Sequence, residues 1–517
     1  MSPPGAFDSL QLQGTPLGGA VATWHARAAP ERLREIAIGV AAKGGRLAAL
    51  WGADERDRGE GFALHLALAV DHALLWLTVP LPADRPEYPD LADVFASANR
   101  MQRAVYDLVG MRSTAADQRA WLRHAAWPAD VYPLRRDFGV ENWYGNDVER
   151  YRFVQVEGDG VHEIPVGPVH AGTIEPGHFR FSVVGEKVLR LEERLGYTHK
   201  AVEKLFESRD LVAGSSLAGR ISGDSTVAYA WAYAMAVEGL AGVTPPPRAL
   251  WLRALALERE RVANHLGDLG YLGNDGGLAF GLAQFMRLKE EWLRLSGSLF
   301  GHRYLMDFVI PGGVERNIGR HSCDEVAEQC DRLEAEVRVL KDVYDDHAGL
   351  QDRFLTCGHL APELARSLGV VGFAARASGL PLDARADPGA EPYDRLEVAV
   401  KTQRAGDVAA RVTVRFEEIF ESLRLLRAIV EGIPLGEVAT PFNTVGGRGR
   451  GLGRVEGWRG EVAIALEAEG GLIRRCHAHD PSWQNWPALE HAVIGNIVPD
   501  FPLINKSFNL SYSGHDL

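Results

Sequence analysis

Seven segments of the chain carry apolar residues three and four positions apart, the spacing that places them on one face of an α-helix. Helices of this kind are stable when their apolar faces pack against one another, so the pattern predicts a helical bundle. The segments are 186–207, 225–238, 245–267, 284–296, 324–350, 362–376 and 405–431.

Strand-like segments lie on both sides of these helices. Residues 62–79 alternate around a polar pair, Asp71 and His72, as a β-hairpin would. Residues 161–185 are broken by proline and glycine into short β pieces, and the chain from Pro441 onward looks strand- and loop-like. The predicted fold is therefore α+β. A small mixed α/β domain covers residues 1–150, and a large, mainly helical bundle domain with β portions at its ends covers 151–517.

The composition excludes several classes of function. With 56 basic and 69 acidic residues the net charge is −13, so we expect no nucleic acid partner, because such binding needs a positive field. The four cysteines form no C-x-x-C pair, which argues against an iron–sulfur cluster or zinc ribbon within this chain. No secretory signal is visible, and no apolar stretch reaches the roughly 20 residues that cross a bilayer. We expect a cytoplasmic protein that reaches a membrane only through partners.

The segment 446–460 is dense in glycine and arginine. It contains neither G-x-G-x-x-G nor G-x-x-x-x-G-K-[ST], so it lacks both phosphate-binding patterns. An RNA-binding arginine–glycine box is one interpretation, which the acidic composition disfavours. We prefer a turn that leads into a strand at residues 462–466.

The segment 164–181 places His170, Glu175, His178 and Arg180 on a loop between short strands. Two histidines and a carboxylate on one loop can transfer protons or bind a small ligand. The same side chains can equally serve the structure of the loop alone, and the residue types do not separate these two interpretations.

Residues 220–225, RISGDS, open one of the predicted helices. Asp224 or Ser225 can act as its N-cap, which is enough to explain both residue types. Ser222 as a hydrolytic nucleophile would need a G-x-S-x-G turn or a partner base, and the sequence shows neither.

Four polar residues, Glu258, Arg261, Asn264 and His265, share one face of the next helix. Glu258 and Arg261 are spaced to form an ion pair across one turn. We expect His265 in a satisfied, half-buried network rather than as a ligand.

Taken together, these segments resemble a known family. Residues from about 155 to 517 are similar to the large subunit of energy-converting [NiFe] hydrogenases and to the 49-kDa subunit of respiratory complex I, and residues 60–137 resemble the 30-kDa subunit. Such a fusion is typical of formate hydrogenlyase-type large subunits. The matching stretches are GPVHAGTIEPGHFRF from Gly167, GYTHKAVEKLFESR from Gly196, ERERVANHLGDLG from Glu258, GHRYLMDFVIPGGVERNIG from Gly301, RASGLPLDAR from Arg376, RVEGWRGE from Arg454, the tail from Asp480, RAVYDLVG from Arg103 and YPLRRDF from Tyr132.

The chain departs from the hydrogenase pattern at the metal ligands. In those hydrogenases, R-[IV]-C-G-x-C and D-P-C-x-x-C supply four thiolates to nickel and iron. Here the first motif has Ser222 and Ser225 at the cysteine positions, and the second has Ser482 and Asn485. A protonated hydroxyl is a hard, weak ligand, whereas a thiolate is soft and anionic. We therefore expect no metal ligands in this chain and no nickel–iron centre.

The resemblance to complex I implies a quinone in the vacated space. In that family the quinone is bound by a histidine of the first loop, which matches His170, and by a tyrosine whose position holds Gly223 here. Asp224 or Tyr229 are candidate substitutes. The hydrogenase resemblance makes Glu175 a proton-transfer residue; the alternative is a carboxylate tied to Arg454 or Arg459.

These comparisons define the predicted site. The residues expected to act in catalysis are His170, Glu175, His178 and Asp224. Those expected to contact a cofactor are His170, Arg220, Ser222, Gly223, Ser225, Tyr229, Asp480, Ser482 and Asn485.

The resemblance also implies partners and a function. An iron–sulfur small subunit would face the site, and membrane antiporter-like subunits would hold the complex at the inner face of the cell membrane. The chain would then belong to an oxidoreductase of the NADH:quinone oxidoreductase and hydrogenase type, linked to electron transport and proton translocation. The alternative is a non-catalytic scaffold or coupling protein that kept the fold after losing the active centre.

Overall fold

The computed structural model describes residues 7, 10–139, 151–170, 174–388, 391–441 and 446–517. Helices and sheets both contribute substantially, and a mixed sheet lies in the N-terminal region, which confirms the α+β class. The predicted domain boundary near residue 150 adjoins residues outside the described part and stays a prediction. Among the helices of the described ranges, none has the length and apolar composition that a bilayer crossing requires.

The N-terminal region is a five-stranded sheet with the strand order β1-β2-β5-β4-β3, in which β2 and β5 run parallel and the other neighbours antiparallel. The predicted hairpin is confirmed as β4 and β5. One face of the sheet packs on two helices. The elements are β1 (Gly14–Leu17), β2 (Thr23–Arg27), α1 (Leu33–Ala42), β3 (Arg46–Asp54), β4 (Phe62–Val70), β5 (Ala73–Leu81), β6 (Glu87–Tyr88), α2 (Ala98–Val109) and β7 (Arg112–Ser113).

A second, three-stranded antiparallel sheet follows, made of β8 (Val161–Val166), β9 (His178–Val184) and β10 (Lys187–Arg194). The predicted helix over 186–207 is wrong for most of its length. Gly185, whose φ is +59°, makes the tight turn that folds β10 back on β9. Strand pairing therefore overrides the helical spacing, and only the short helix α3 (Val202–Phe206) remains.

The helical bundle forms the centre of the molecule and largely confirms the periodicity. The central helix α5 is buried on almost all sides, and α6 packs against α7 and α12. The predicted segment 362–376 is two short helices, because the chain turns at Gly369, whose φ is +72°. The helices are α4 (Ala213–Ala218), α5 (Thr226–Ala241), α6 (Pro247–Asp275), α7 (Ala279–Phe300), α8 (Arg320–Asp346), α9 (Ala348–Phe354), α10 (Pro362–Leu368), α11 (Gly372–Ala377) and α12 (Val408–Gly432), with the strand pair β11 (Val309–Ile310) and β12 (Gly313–Val314) between α7 and α8.

Most of the glycine- and arginine-rich segment is a strand, which corrects the prediction of a turn there, whereas residues 457–460 form the predicted turn into the strand that contains 462–466. A Cβ atom on Gly451 or Gly453 would overlap the backbone carbonyl of Ala236 or Ala232 on α5, so glycine is what lets the helix pack directly on the strand. The sheet is antiparallel and consists of β13 (Arg448–Glu456), β14 (Glu461–Glu469) and β15 (Leu472–His479).

The C-terminal tail is packed, as expected, but it is helical rather than strand- and loop-like. Its helices are α13 (Ser482–Ala492), α14 (Phe501–Phe508) and α15 (Tyr512–Asp516). Trp483, Trp486 and Leu489 give α13 a buried face. Pro481 precedes α13 and Pro502 lies in the first turn of α14, where a missing N–H costs nothing, whereas Pro487 lies inside α13.

Candidate functional site

Three of the four positions that hold cysteine in the hydrogenase motifs meet in one hydrogen-bonded group. Ser222 Oγ donates to Asp224 Oδ1 (2.8 Å) and lies 3.0 Å from Ser511 Oγ. Ser482 Oγ accepts from the backbone N of Ser511 (2.9 Å), and Ser225 Oγ lies 3.5 Å from Asp224 Oδ1. We call Ser222, Ser225, Ser482 and Ser511 the serine cluster. It joins the start of α5, the start of α13 and the tail.

An ion pair covers the serine cluster. Arg459, from the turn between β13 and β14, donates through Nη1 and Nη2 to the two oxygens of Asp224 at 2.8 and 2.5 Å. Burial opposes ionisation of Asp224, but the charge and hydrogen bonds of Arg459 outweigh it and lower the Asp224 pKa. The Asp224 side chain is 37% exposed and that of Arg459 only 5%. The carboxylate is therefore held ionised at the mouth of the site.

The remaining motif residues form hydrogen bonds with buried groups beneath the serine cluster. Asn485 exchanges two hydrogen bonds with the backbone of Val371. Tyr229, fully buried, donates to Asp480 Oδ2 at 2.6 Å, and Asp480 Oδ1 accepts from the backbone N of Ser482. Burial and then the Asp480 charge raise the Tyr229 pKa well above its usual value. Tyr229 thus packs in the interior and does not replace the missing tyrosine at the site.

The start of α5 is capped from another helix. Ser225 occupies the N-cap position but makes no side-chain cap bond. Instead the side-chain oxygens of Glu260, on α6, accept from the backbone N of Val227 (2.7 Å) and Ala228 (3.3 Å). Burial raises the Glu260 pKa to about 8. The predicted side-chain cap by Asp224 or Ser225 is therefore wrong, because Asp224 is engaged by Arg459.

The histidines of the 164–181 loop are occupied by the loop itself. His170 Nε2 lies 2.8 Å from the carbonyl of Gly177, and since a carbonyl only accepts, this nitrogen carries the proton. His178 Nδ1 donates in the same way to Gly167, and its Nε2 accepts from Arg180. Burial lowers the His178 pKa. His178 is therefore neutral and bonded at both nitrogens, whereas the hydrogen bond that His170 makes within the described residues is at Nε2.

Glu175 lies at the surface of the same loop. Its carboxylate accepts from the backbone N of Ser513, 3.2 Å away on the tail. The alternative that tied Glu175 to Arg454 or Arg459 is wrong, because those guanidinium groups pair with Asp387 and Asp224. Glu175 therefore joins the loop to the tail beside the serine cluster.

Two further motif positions face outward. Arg220 pairs with Asp307 through two bonds of 2.6 Å, and both side chains are about half exposed. Gly223 is exposed. Beside them, Lys200 donates to the carbonyl of Ile221 at 3.0 Å, and burial lowers its pKa.

The structure thus brings the predicted residues together around one surface. Some of them are exposed there, whereas others, such as Tyr229 and Asn485, are buried and bond to the protein interior. The sequence interpretation did not place Lys200, Glu260 or Ser511 at this surface, and it named Arg459 only as a possible partner of Glu175. All four residues lie within segments that carried the resemblance, but the contacts that they make follow only from the tertiary structure.

The polar face of α6 forms a buried network below the site. Arg261 Nε lies 3.4 Å from Glu258 Oε2, as the spacing predicted. His265 is completely buried rather than half-buried, and its Nε2 lies 2.9 Å from Glu418 Oε2 on α12. Asn264 donates to the backbone carbonyl of Asp224 at 2.7 Å. This network therefore reaches the site through Asn264.

Comparisons with known proteins agree with this fold. The family model for the respiratory-chain NADH dehydrogenase 30 Kd subunit matches residues 26–143, and the 49 Kd subunit model matches residues 275–446. Formate hydrogenlyase subunit 5 of Escherichia coli (strain K12) is 31% identical over 92% of this chain and 85% of its own length. Hydrogenase-4 component G of the same organism is 30% identical over 91% and 84%.

The chain belongs to this family of fused large subunits. A relative from the carbon monoxide-induced hydrogenase of Rhodospirillum rubrum is 30% identical over 67% of this chain and 97% of its own length. Among solved structures, a chain of the membrane-bound sulfane sulfur reductase, an archaeal respiratory membrane complex, matches 69% of this chain and 99% of its own. Its TM-score is 0.65 and its sequence identity 25%. The relatives are subunits of membrane-bound hydrogenase and complex I-like assemblies.

Proposed function

We propose that this chain is the large subunit of a membrane-associated, complex I-like oxidoreductase that serves a quinone or another small electron acceptor without a nickel–iron centre. The observation that carries the proposal is the serine cluster under the Arg459–Asp224 ion pair. It lies where the hydrogenase motifs bring their thiolates together, and it supplies hydrogen bonds in their place.

The donor set does not fit nickel and iron. Neutral hydroxyl groups and an amide are hard donors, and the two metals would require soft, anionic sulfur. In addition, the hydroxyls of Ser222 and Ser482 and both amide atoms of Asn485 are engaged with other protein groups. The arrangement therefore supports a site that works without metal ligands from this chain.

The surface above the cluster supports contact with an acceptor. Asp224 and Glu175 expose carboxylates, Gly223 is exposed without a side chain, and the His170 ring is partly exposed. An iron–sulfur partner protein would cover this surface and deliver electrons. Reduction of a quinone there would take two electrons from the partner and two protons from solvent, and Glu175 and His170 are our candidates for passing those protons. Membrane subunits would anchor the assembly at the inner face of the cell membrane.

Metal content and activity of the intact complex test the proposal. We would purify the complex anaerobically, measure nickel per chain and assay electron transfer to a soluble quinone analogue in the same sample. The expected result is no nickel together with quinone reduction. Nickel near one per chain would contradict the ligand argument and return the protein to the active hydrogenases.

A histidine variant tests the residue assignment. His170→Ala should reduce quinone turnover in the assembled complex, because it removes a partly exposed imidazole ring that we assign to the quinone. His162→Ala is the matched control, since His162 is exposed on β8 and its hydrogen bond within the described residues is to the neighbouring carbonyl of Gly160. Equal turnover in both variants and the wild type would remove His170 from the site.

A non-catalytic scaffold is the second candidate. It is favoured by the internal satisfaction of the site, where Asp224, Ser222 and His178 all bond to protein groups. A scaffold predicts an assembled complex with neither nickel nor quinone reduction. It also predicts that Asn264→Ala, which cuts the network below the site, impairs assembly while His170→Ala does not.

A further inference from the structure

A lysine on α7 lies beside the candidate site without a partner. Lys289 makes no hydrogen bond and no ion pair within the described residues. Its side chain is only partly buried, and its Nζ is not a fully enclosed atom, so a ligand can reach it. An ammonium group carries three N–H donors, and those of Lys289 are therefore available to water or to a ligand.

Lys289 approaches the site across a glycine of α6. A Cβ atom on Gly267 would come within 2.7 Å of Lys289 Nζ and 3.4 Å of its Cδ. The missing side chain therefore makes the room in which the lysine lies. Gly267 is three positions after Asn264, so the two residues share a face of the helix. Because Asn264 donates to the backbone carbonyl of Asp224 at 2.7 Å, Lys289 lies along the face of α6 that borders the site.

Two carboxylates act on Lys289, and both are engaged by other cations. Burial lowers the pKa of Lys289, and the charges of Asp268 and Asp224 oppose this shift. Asp268 pairs with Arg415 at 2.9 Å, and Asp224 pairs with Arg459. Neither carboxylate lies within 4 Å of the lysine nitrogen. Lys289 therefore brings a positive charge that no carboxylate of the site balances directly.

The charge of Lys289 also reaches the mouth of the site. Burial raises the Asp224 pKa, whereas Arg459 and, to a smaller extent, Lys289 lower it. Arg459 uses both Nη atoms on Asp224 and its Nε on the carbonyl of Asn509. The donors of Arg459 are thus occupied at the point where those of Lys289 remain available.

A donor of this kind suits an oxygen atom that becomes negative. When a carbonyl acceptor receives electrons, negative charge develops on its oxygen. A hydrogen-bond donor that is already in place stabilises this charged state more than the neutral one.

We propose that Lys289 contacts the bound acceptor and donates a hydrogen bond to the oxygen atom that gains negative charge on reduction. This inference rests on the proposed function and deepens it, because it defines the acceptor as a carbonyl compound and names the residue that stabilises its reduced form. The electrons still come from the partner protein, and Lys289 contributes the hydrogen bond alone.

The probe for this contact is 4-nitrophenol, whose oxygen represents the reduced acceptor and whose ionised and neutral forms absorb at different wavelengths. We would titrate the full chain into the probe at the pH at which half of the free probe is ionised. The ratio of phenolate to phenol should be about tenfold higher in the bound probe than in the free probe, as expected for one hydrogen bond to a charged group. An unchanged ratio, or no binding, would overturn the proposal.

Variants assign the effect to Lys289. Lys289→Met should return the ratio to that of the free probe. Lys341→Met is the matched control, since Lys341 is also partly buried but pairs with Asp345 on α8. Gly267→Ala places a Cβ against the lysine nitrogen and should lower the ratio as well, which keeps the test open if Lys289→Met does not fold. An unchanged ratio in the folded variants, or an equal loss in the control, would contradict the assignment.

Turnover of the intact complex separates this inference from the proposed function. In Lys289→Met, kcat for the soluble quinone analogue should fall about tenfold while KM changes less than about twofold, because the hydrogen bond strengthens as charge develops. An unchanged kcat in an active complex would overturn the role of Lys289 alone. A wild-type complex that does not reduce the quinone would instead overturn the proposed function, and the phenolate ratio would then decide by itself whether Lys289 binds an oxyanion.

Discussion

At the residue scale, Arg459 is the centre of the candidate site. Besides its two bonds to Asp224, its Nε donates to the carbonyl of Asn509 at 2.5 Å, and its guanidinium carbon lies 4.0 Å from the ring centre of Trp458. These contacts tie the β13–β14 turn to the start of α5 and to the tail. A planar guanidinium suits this position because it can bond in several directions at once.

Replacing Asp224, the carboxylate that pairs with Arg459, should therefore lower the free energy of unfolding. We expect Asp224→Asn to lower the free energy of unfolding by about 2 kcal/mol, less than for a fully buried pair because Asp224 is partly exposed. Asp307→Asn is the matched control; it breaks the exposed pair with Arg220 and should cost less than about 1 kcal/mol. Urea denaturation of both variants would measure this, and equal losses would contradict a special role for Arg459.

The ion pair between Arg459 and Asp224 also predicts that the stability of the folded chain depends on pH. Because the Asp224 pKa is lower in the folded chain than in the unfolded one, its contribution is complete above the unfolded value, about 4, and is lost as the pH falls through the folded value. The stability difference between wild type and Asp224→Asn should thus be constant from pH 5 to 7 and shrink below pH 4. A difference that grows on acidification would refute the ion pair.

At the element scale, α5 is the helix on which the interior depends. Its alanine-rich sequence has no polar face, since it packs between β13 and α6 rather than at a surface. Gly451 and Gly453 bring β13 against its backbone, and Glu260 caps its start. The helix itself was predictable from apolar spacing, whereas its neighbours were not.

Gly453→Ala should separate α5 from β13. The added Cβ would meet the carbonyl oxygen of Ala232, and backbone cannot yield as a flexible side chain can. We expect a loss of about 1–3 kcal/mol in the free energy of unfolding. Gly447→Ala, where a Cβ would meet nothing within 4 Å, should change it by less than about 0.5 kcal/mol. Similar small effects for both would refute the close packing.

Glu260 gives α5 a second pH signature, opposite in sign to that of Asp224. Its pKa of about 8 in the folded chain exceeds the unfolded value of about 4.3, so the folded state holds a proton that the unfolded state has lost, and stability falls as the pH rises between these values. Glu260→Gln should therefore gain stability relative to wild type between pH 6 and pH 8. Glu431→Gln, exposed at the end of α12, should show no such trend, and a flat difference for Glu260→Gln would refute the buried carboxyl.

The limits of sequence interpretation are physical and can be read from particular residues. The resemblance correctly indicated that the segments around Ser222 and Ser482 meet, because each segment carries a family motif that can be recognised from consecutive residues. The partner of Asp224 could not be derived, since Arg459 is 235 positions away and several arginines were available. Strand β10 was mistaken for a helix because Val188 and Leu191, which pair with β9, also fit helical spacing together with the buried Leu195 that follows the strand.

At the scale of the whole molecule, the N-terminal sheet is packed against the C-terminal one. Trp51 stacks on His477 with the ring centres 5.0 Å apart, and Gln484 donates to the backbone carbonyl of Ala48 at 2.9 Å. Ion pairs such as Arg46–Glu461 surround this apolar contact. The two regions therefore share one core.

A chain divided within residues 140–150 should accordingly remain assembled. We expect the two polypeptides, produced together with a tag on one, to co-purify at equal stoichiometry. Trp51→Ala should weaken this association because it removes the central ring, whereas Ile38→Ala, 51% exposed on α1, should not. Separation of the unmodified halves during purification would contradict a shared core.

This shared core has a consequence for how a larger complex is built. Two regions joined by one backbone are always present in equal number, and each meets the other at the millimolar effective concentration typical of short tethers. Their contact forms without a diffusional search and does not weaken when the protein is dilute. The cell therefore has one assembly step fewer to regulate, and a partner protein meets a composite surface that is complete from the start.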